Sequence, residues 1–349
     1  MRFRLVFPLA AMALATALPH GAGALAAGDA DAKAAAAVVA DKCRGVDMLA
    51  ETAAKDPQGY GLIMSQATAT QNAGAILWKI ERPGRPASYL FGTVHLTDER
   101  VTRLSPAVET ALKDVKVIAL EVSDLSETAT ASVIAKSAPL VMFTDGRRLD
   151  NLLSNTEYDT VKTIIGRSGM PVDLAALFKP WIVTMILSVS DCERLKVQQG
   201  ARVLDMKIAE IGKARGLQVV GLETIPAQLE ALAAVPEAQQ LDMLRTSLKF
   251  ADRTNDMMET LVQMYLNRKI SAAIPFQIAL ARQVGISDQA FTGFQEKLLV
   301  ERNQKMRVAA EPFLEQGGVF IAIGALHLPG EKGLVAQLRE AGYTVSPIE

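Results

Sequence analysis

An apolar run that ends in glycine, with histidine three residues further on, occurs twice in the chain. The first copy is Tyr89-Leu90-Phe91-Gly92-Thr93-Val94-His95-Leu96, and the second is Val319-Phe320-Ile321-Ala322-Ile323-Gly324-Ala325-Leu326-His327-Leu328. A short apolar run bounded by a turn signal reads as a buried strand, and glycine permits a tight turn at its end. Each copy therefore predicts a strand that delivers a histidine just past its end. The chain holds three histidines. The third, His20, lies in a segment with the marks of a leader, so both remaining histidines share one Gly-x-x-His-Leu context. A lone histidine after a strand is more often a structural hydrogen-bonder than a chemical group. Two in the same context shift the balance toward function.

The residues around each copy repeat an order of elements. After His95, Ser105-Pro106 with Glu109 in the first turn starts a helix that runs to about Lys113. Residues 115–120 form the next apolar run, with Glu121 at its end. This is a βαβ crossover. After His327 a helix over 331–341 leads to a strand over 343–347. Ahead of the first copy, runs at 76–80 and 88–91 flank Pro83-Gly84-Arg85-Pro86 and predict a hairpin. Between the two copies the pattern is helical, with a break at Lys179-Pro180. It gives an amphipathic helix over 203–215 capped by Gly216, then a strand over 217–222 with Glu223 behind it. Helices follow over 226–235, 238–267, 272–283 and 289–315. The expected fold class is α/β: two pseudo-symmetric βαβ-type units forming a mixed sheet, with a large helical middle region at about 124–315. The expected division is a leader over 1–26, a helical preface over 27–74 with a turn at Asp56-Pro57-Gln58-Gly59, and a main domain over 75–349.

The leader rests on Arg2 and Arg4, an apolar run over 5–18 and small residues over 21–27, with cleavage expected after Ala24 or Ala26. That run is short for a membrane span. The apolar stretch over 174–189 is interrupted by Lys179-Pro180-Trp181. The expectation is an exported chain, periplasmic or secreted, with no stable membrane span after cleavage. A net charge of −1 gives no reason to expect a nucleic-acid partner. Cys43 and Cys192 are the chain's two cysteines, and in an oxidising compartment a disulfide is the expected state.

Four polar residues stand at predicted strand ends: His95, Glu121, Glu223 and His327. In an open α/β sheet the carboxyl ends of parallel strands converge on one crevice. Two neutral imidazoles with one or two carboxylates suit a divalent ion such as zinc, manganese or cobalt, which lowers the pKa of a bound water. A glutamate behind an apolar strand is more often a surface residue or helix cap. Glu121 gains weight because it closes the same unit as His95. Arg302 and Asn303 lie in a helix with Leu298, Leu299, Met306 and Ala310. On spacing alone they fit a cleft wall that holds a carboxylate or oxyanion and a solvated face equally well. Asp205, among Val203, Leu204, Met206 and Ile208, reads as a half-buried salt-bridge partner. No Gly-x-Ser-x-Gly, phosphate loop or His-Glu-x-x-His is present.

Taken together, 90–96, Ala119-Leu120-Glu121, Gly221-Leu222-Glu223-Thr224, Glu301-Arg302-Asn303 and 324–328 resemble the TraB/GumN family, from about residue 75 onward. That family is related to the Tiki metalloproteases and, more distantly, to haem-binding ChaN and erythromycin-esterase-like proteins. The resemblance implies a site built from both histidines and the first glutamate, similar to that of a manganese- or cobalt-dependent protease. It makes His95, Glu121 and His327 metal or catalytic residues, and Glu223, Arg302 and Asn303 site-lining ones. The expected function is an exported metal-dependent hydrolase, peptidase-like, acting on a peptide or small-molecule substrate. Two other readings compete: a metal-free His/Glu esterase-like hydrolase, and a non-catalytic haem- or partner-binding protein of envelope or polysaccharide assembly. An aromatic content of 5% argues against a carbohydrate-stacking surface.

Overall fold

The computed structural model describes residues 43–123, 133 and 136–349. The leader and the first part of the preface, 27–42, lie outside the described residues. Among the described residues six strands form one sheet: β1 (Leu77–Glu81), β2 (Ser88–Thr93), β3 (Val117–Leu120), β4 (Gln218–Gly221), β5 (Val319–Gly324) and β6 (Thr344–Pro347). Their spatial order is β4-β3-β5-β2-β1-β6. β4, β3, β5 and β2 pair in parallel, and β1 is antiparallel to both β2 and β6. Each strand falls on an expected apolar run. β5 is apolar throughout because it is covered on both faces, as a central parallel strand must be.

The two expected βαβ units are present, but they interleave. From β2 the chain passes through α3 (Pro106–Lys113) to β3, and β5 lies between those two strands. From β5 it passes through α13 (Leu334–Glu340) to β6, with β2 and β1 in between. The two motif strands are thereby neighbours in register, Gly92 opposite Ile323 and Thr93 opposite Gly324.

Of the helices ahead of α13, α1 (Met48–Lys55) and α2 (Pro57–Ala69) form the N-terminal preface. Asp56-Pro57 starts α2, where a turn was expected. The Asp56 side chain caps Gly59 N–H, and proline takes the first helical position, where its missing donor costs nothing. The middle region holds α4 (Asn155–Arg167), α5 (Pro180–Leu187), α6 (Asp191–Gln198), α7 (Leu204–Ala214), α8 (Ile225–Ala233), α9 (Glu237–Lys249), α10 (Thr254–Leu266) and α11 (Ala273–Gln283). The single helix expected over 238–267 is two, α9 and α10. The chain bends at Phe250, which packs against the cluster holding Met48, Ile63 and Phe276. The last long helix, α12 (Glu301–Gln316), is preceded by a π-helical segment, Gln295–Val300.

Strand alternation sorts the sheet core into two layers. Ile118, Leu120, Phe320 and Ala322 pack with Leu112, Leu204 and Ile208 from α3 and α7. Ala119, Val319, Ile321 and Ile323 pack with Met306 and Leu314 of α12 and Val335 of α13. A separate cluster centred on α5 packs α4, α8 and α9 together. Cys43 and Cys192 are joined as a disulfide, tying the preface to the start of α6.

Gly92 is required by close approach. A Cβ there would stand 2.9 Å from Ala325 Cβ and 3.0 Å from Ala325 Cα. Backbone of the second motif cannot yield without moving β5. Gly92→Ala is therefore expected to cost about 1–3 kcal/mol, read as a lower urea midpoint with unchanged slope. An unchanged midpoint would show that the two motif strands are not packed this tightly.

Candidate active site

Because β2, β3, β4 and β5 are parallel, their carboxyl ends share one edge of the sheet. The centre of the site is the Arg302 guanidinium on α12. Its Nη2 donates to Glu121 Oε2 and to Glu223 Oε2, each at 2.7 Å, and its Nε donates to Glu223 Oε2 at 3.0 Å. Its Nη1 donates to Leu298 O at 3.3 Å, a carbonyl within the π segment. π-turns inside helices often mark functional sites. Here the segment stands immediately before Glu301, whose side chain pairs outward with Lys297, while Arg302 and Asn303 face the sheet.

Gln228 Nε2, from α8, donates to Glu121 Oε2 at 3.1 Å and Glu223 Oε2 at 3.3 Å. The other oxygen of Glu121 accepts the Gly324 N–H at 2.6 Å. A Cβ at Gly324 would lie 3.0 Å from that oxygen, which is why the second motif also needs glycine. Burial alone would raise the Glu121 carboxyl, but Arg302, then the two histidines and the Gly324 N–H, outweigh it and hold it well below the usual carboxylate range. Burial likewise works against the Arg302 charge, and Glu121 and Glu223 more than compensate.

The two imidazoles are held by different partners. His327 Nδ1 lies 2.6 Å from Asn303 Oδ1, and Asn303 Nδ2 donates to Lys332 O at 2.9 Å. That donation fixes the amide's orientation, so Nδ1 carries the proton and Nε2 presents its lone pair, 3.8 Å from Glu121 Oε1. Burial, reinforced by the Arg302 charge, pushes His327 down to about 3. His95 Nδ1 instead lies 2.8 Å from Asp205 Oδ2, and Thr93 Oγ1 donates to Asp205 Oδ1 at 2.6 Å. The Asp205 carboxylate, opposed by burial, pushes His95 up to about 9. The His95 side chain keeps 31% exposure, so water screens this pair more than the Glu121–Arg302 pair.

All six expected site residues thus come to the carboxyl edge of the sheet. Arg302 spends most of its donors on Glu121 and Glu223, and Asn303 orients His327. Asp205, expected as a plain salt-bridge partner, orients His95 from the first turn of α7. The sequence reading passed over Thr93 and Gln228. Thr93 is the last residue of β2, two before His95, so the motif itself carries this partner of Asp205.

The donor chemistry fits a divalent ion in one respect and resists it in another. Both histidines have Nδ1 tied to an oxygen, which is how metal-binding imidazoles are usually oriented. Glu223 has both oxygens on Arg302. Among the described residues no group of three His, Cys, Asp or Glu side chains stands close enough to hold an ion. His95, His327 and Glu121 supply suitable donor types, and Glu223 is committed elsewhere.

An α/β sheet with oriented imidazoles and buried carboxylates at its carboxyl edge defines the class. The pattern of the TraB/PrgY/gumN family matches residues 76–347, and the chain belongs to that family. It is 25% identical over 317 residues to Metalloprotease TIKI1 of Xenopus tropicalis, covering 78% of this chain and 61% of that protein. It is 24% identical over 317 residues to the Homo sapiens Metalloprotease TIKI1, covering 78% of this chain and again 61% of the relative. The chain therefore spans less than two thirds of these relatives. It is 21% identical over 260 residues to YbaP of Shigella flexneri, an uncharacterized protein, covering 74% of this chain and 90% of YbaP. No solved structure matches the chain significantly.

Removing the guanidinium strands two buried carboxylates. Arg302→Met is expected to destabilise the protein by about 3–5 kcal/mol. Adding Glu121→Gln and Glu223→Gln should restore most of that loss in urea unfolding, because no unpaired charge is then left. A triple variant no more stable than Arg302→Met would refute the pairing as the source of the cost.

Proposed function

We propose that the protein is an exported metal-dependent hydrolase with peptidase-like chemistry. The observation that carries this reading is the pair of motif histidines, each with Nδ1 engaged by an oxygen and Nε2 left as the available nitrogen. His95 and His327 would hold the ion through Nε2, and Glu121 through Oε1, the oxygen that faces His327. The resemblance to the Tiki metalloproteases favours manganese or cobalt, and zinc also suits imidazole and carboxylate donors. When bound, such an ion polarises a carbonyl and makes a nucleophile of water near neutral pH.

The chain's own residues prepare that chemistry. Asn303 fixes which nitrogen of the His327 ring is protonated, and Asp205 would keep the proton on His95 Nδ1 while an ion displaces the one on Nε2. Arg302 keeps Glu121 ionised and aimed, and Gln228 braces Glu121 against Glu223. Peptide substrates are favoured because relatives are named metalloproteases, which is a property of those proteins carried here as part of the proposal. Export is supported by the leader pattern over 1–26 and by the Cys43–Cys192 link, which suits an oxidising compartment. No helix among the described residues is long and apolar enough to cross a membrane.

A second reading has its own support. Arg302 already supplies a cation to Glu121 and Glu223, so the site is internally compensated without an ion. A metal-free hydrolase would then use a histidine and Glu121 as its acid–base pair.

Elemental analysis after dialysis against manganese, cobalt and zinc separately tests the first reading, with wild type beside His95→Ala/His327→Ala. Near-stoichiometric metal in the wild type and none in the double variant is expected, together with peptide hydrolysis that stops on chelation and returns with added ion. Full-rate hydrolysis by chelated protein would replace this reading with the metal-free one.

A further inference from the structure

The segment behind His95 is held from three sides. Thr97 N–H and Thr97 Oγ1 both donate to Glu193 Oε2 on α6, at 2.9 and 2.8 Å. Arg100 reaches α10, its Nη1 and Nη2 donating to Glu259 at 3.0 and 2.6 Å. Lys207 Nζ of α7 donates to Thr102 Oγ1 at 2.9 Å. Of these anchors Glu193 stands nearest to His95 in sequence, through Thr97, and it is the most buried, at 4% exposure.

Glu193 has an unusual support. Its neighbour Cys192 is bonded to Cys43. The stretch from Cys43 into α1 is in turn fixed to α10: Val46 N–H donates to Asp256 at 2.9 Å and Met48 N–H to Thr260 at 2.8 Å. The contacts close a ring. It runs from Glu193 through the disulfide to the preface, across to α10, through Glu259 to Arg100, and back along the loop to Thr97. Outside water, a carboxylate is retained only where its hydrogen bonds are made, and those of Glu193 Oε2 go to the loop that carries His95.

We infer that Glu193 is a positioning residue for His95, acting through Thr97 and held in register by the Cys43–Cys192 link. Its carboxylate hydrogen-bonds to Thr97 and not to the imidazole itself. Its effect is to fix where the β2 end stops and so where the His95 ring meets Asp205. The consequence for metal binding rests on the proposed function; the positioning itself does not.

Histidine-selective nitrogen NMR on the full chain tests this, because three histidines give few ring signals and substitution assigns them. Glu193→Ala is expected to shift the His95 ring nitrogens and leave those of His327 in place, and to weaken manganese binding about tenfold. Glu193→Gln should restore both readouts, since one carbonyl oxygen can accept both Thr97 donors as Glu193 Oε2 does. Should Glu193→Ala not fold, Thr97→Val, which removes one of the two donors, is expected to shift the His95 signals alone. His95 signals unmoved in a folded Glu193→Ala or in Thr97→Val would overturn the inference. Shifted His95 signals in a protein that binds no manganese would uphold it while removing the metal reading.

Discussion

The site depends on one guanidinium held between two buried carboxylates. Glu121 and Glu223 are buried at a sheet edge packed under helices with Arg302 between them, and the guanidinium cannot be buried without carboxylates to meet it. The contact is also architectural. It fastens α12 to the ends of β3 and β4, and the next residue on that helix, Asn303, sets the ring of His327 at the end of β5. Electrostatic compensation and fold closure are here the same interaction.

Interleaving explains how motifs from opposite ends of the chain share a site. Had the two βαβ units stood side by side, their histidines would lie at separate places along the edge. With β5 between β2 and β3, the two motif strands are neighbours and Glu121 reaches the backbone of the second motif at Gly324. The halves are alike in sequence but not in electrostatics. One imidazole leans on a carboxylate and is drawn toward the charged form, while the other leans on an amide in a drier place and is kept neutral. A repeated motif has thus been given two chemical characters by residues outside the repeat.

Much of this was legible beforehand, for local reasons. The six strands follow from apolar runs bounded by glycine, proline and charge, and the strand-end positions of His95, Glu121, Glu223 and His327 follow from the strands. The orientation of Arg302 and Asn303 was not decidable from spacing, because the π segment before them changes the helical phase without a distinctive composition. Asp205 was seen as half-buried, but its partner lies far away in sequence, across the sheet edge. Asp56-Pro57 carries the same two signals whether a turn or a helix follows. The bend at Phe250 is set by a cluster assembled from distant helices. In each case the deciding interaction is non-local.

The position of β5 also bears on when the protein can acquire its site. Native β2 and β3 do not pair with each other; each pairs with a strand made long after both. A ribosome would have released most of the helical middle before the central strand existed. Until then the sheet has a gap, and Glu121 lacks both Arg302 and the Gly324 N–H that hold it ionised. The unfinished chain is a slow, non-local folder with its polar residues dispersed. The strand order thus keeps His95, Glu121, Arg302 and His327 apart until the last third of the sheet has been made.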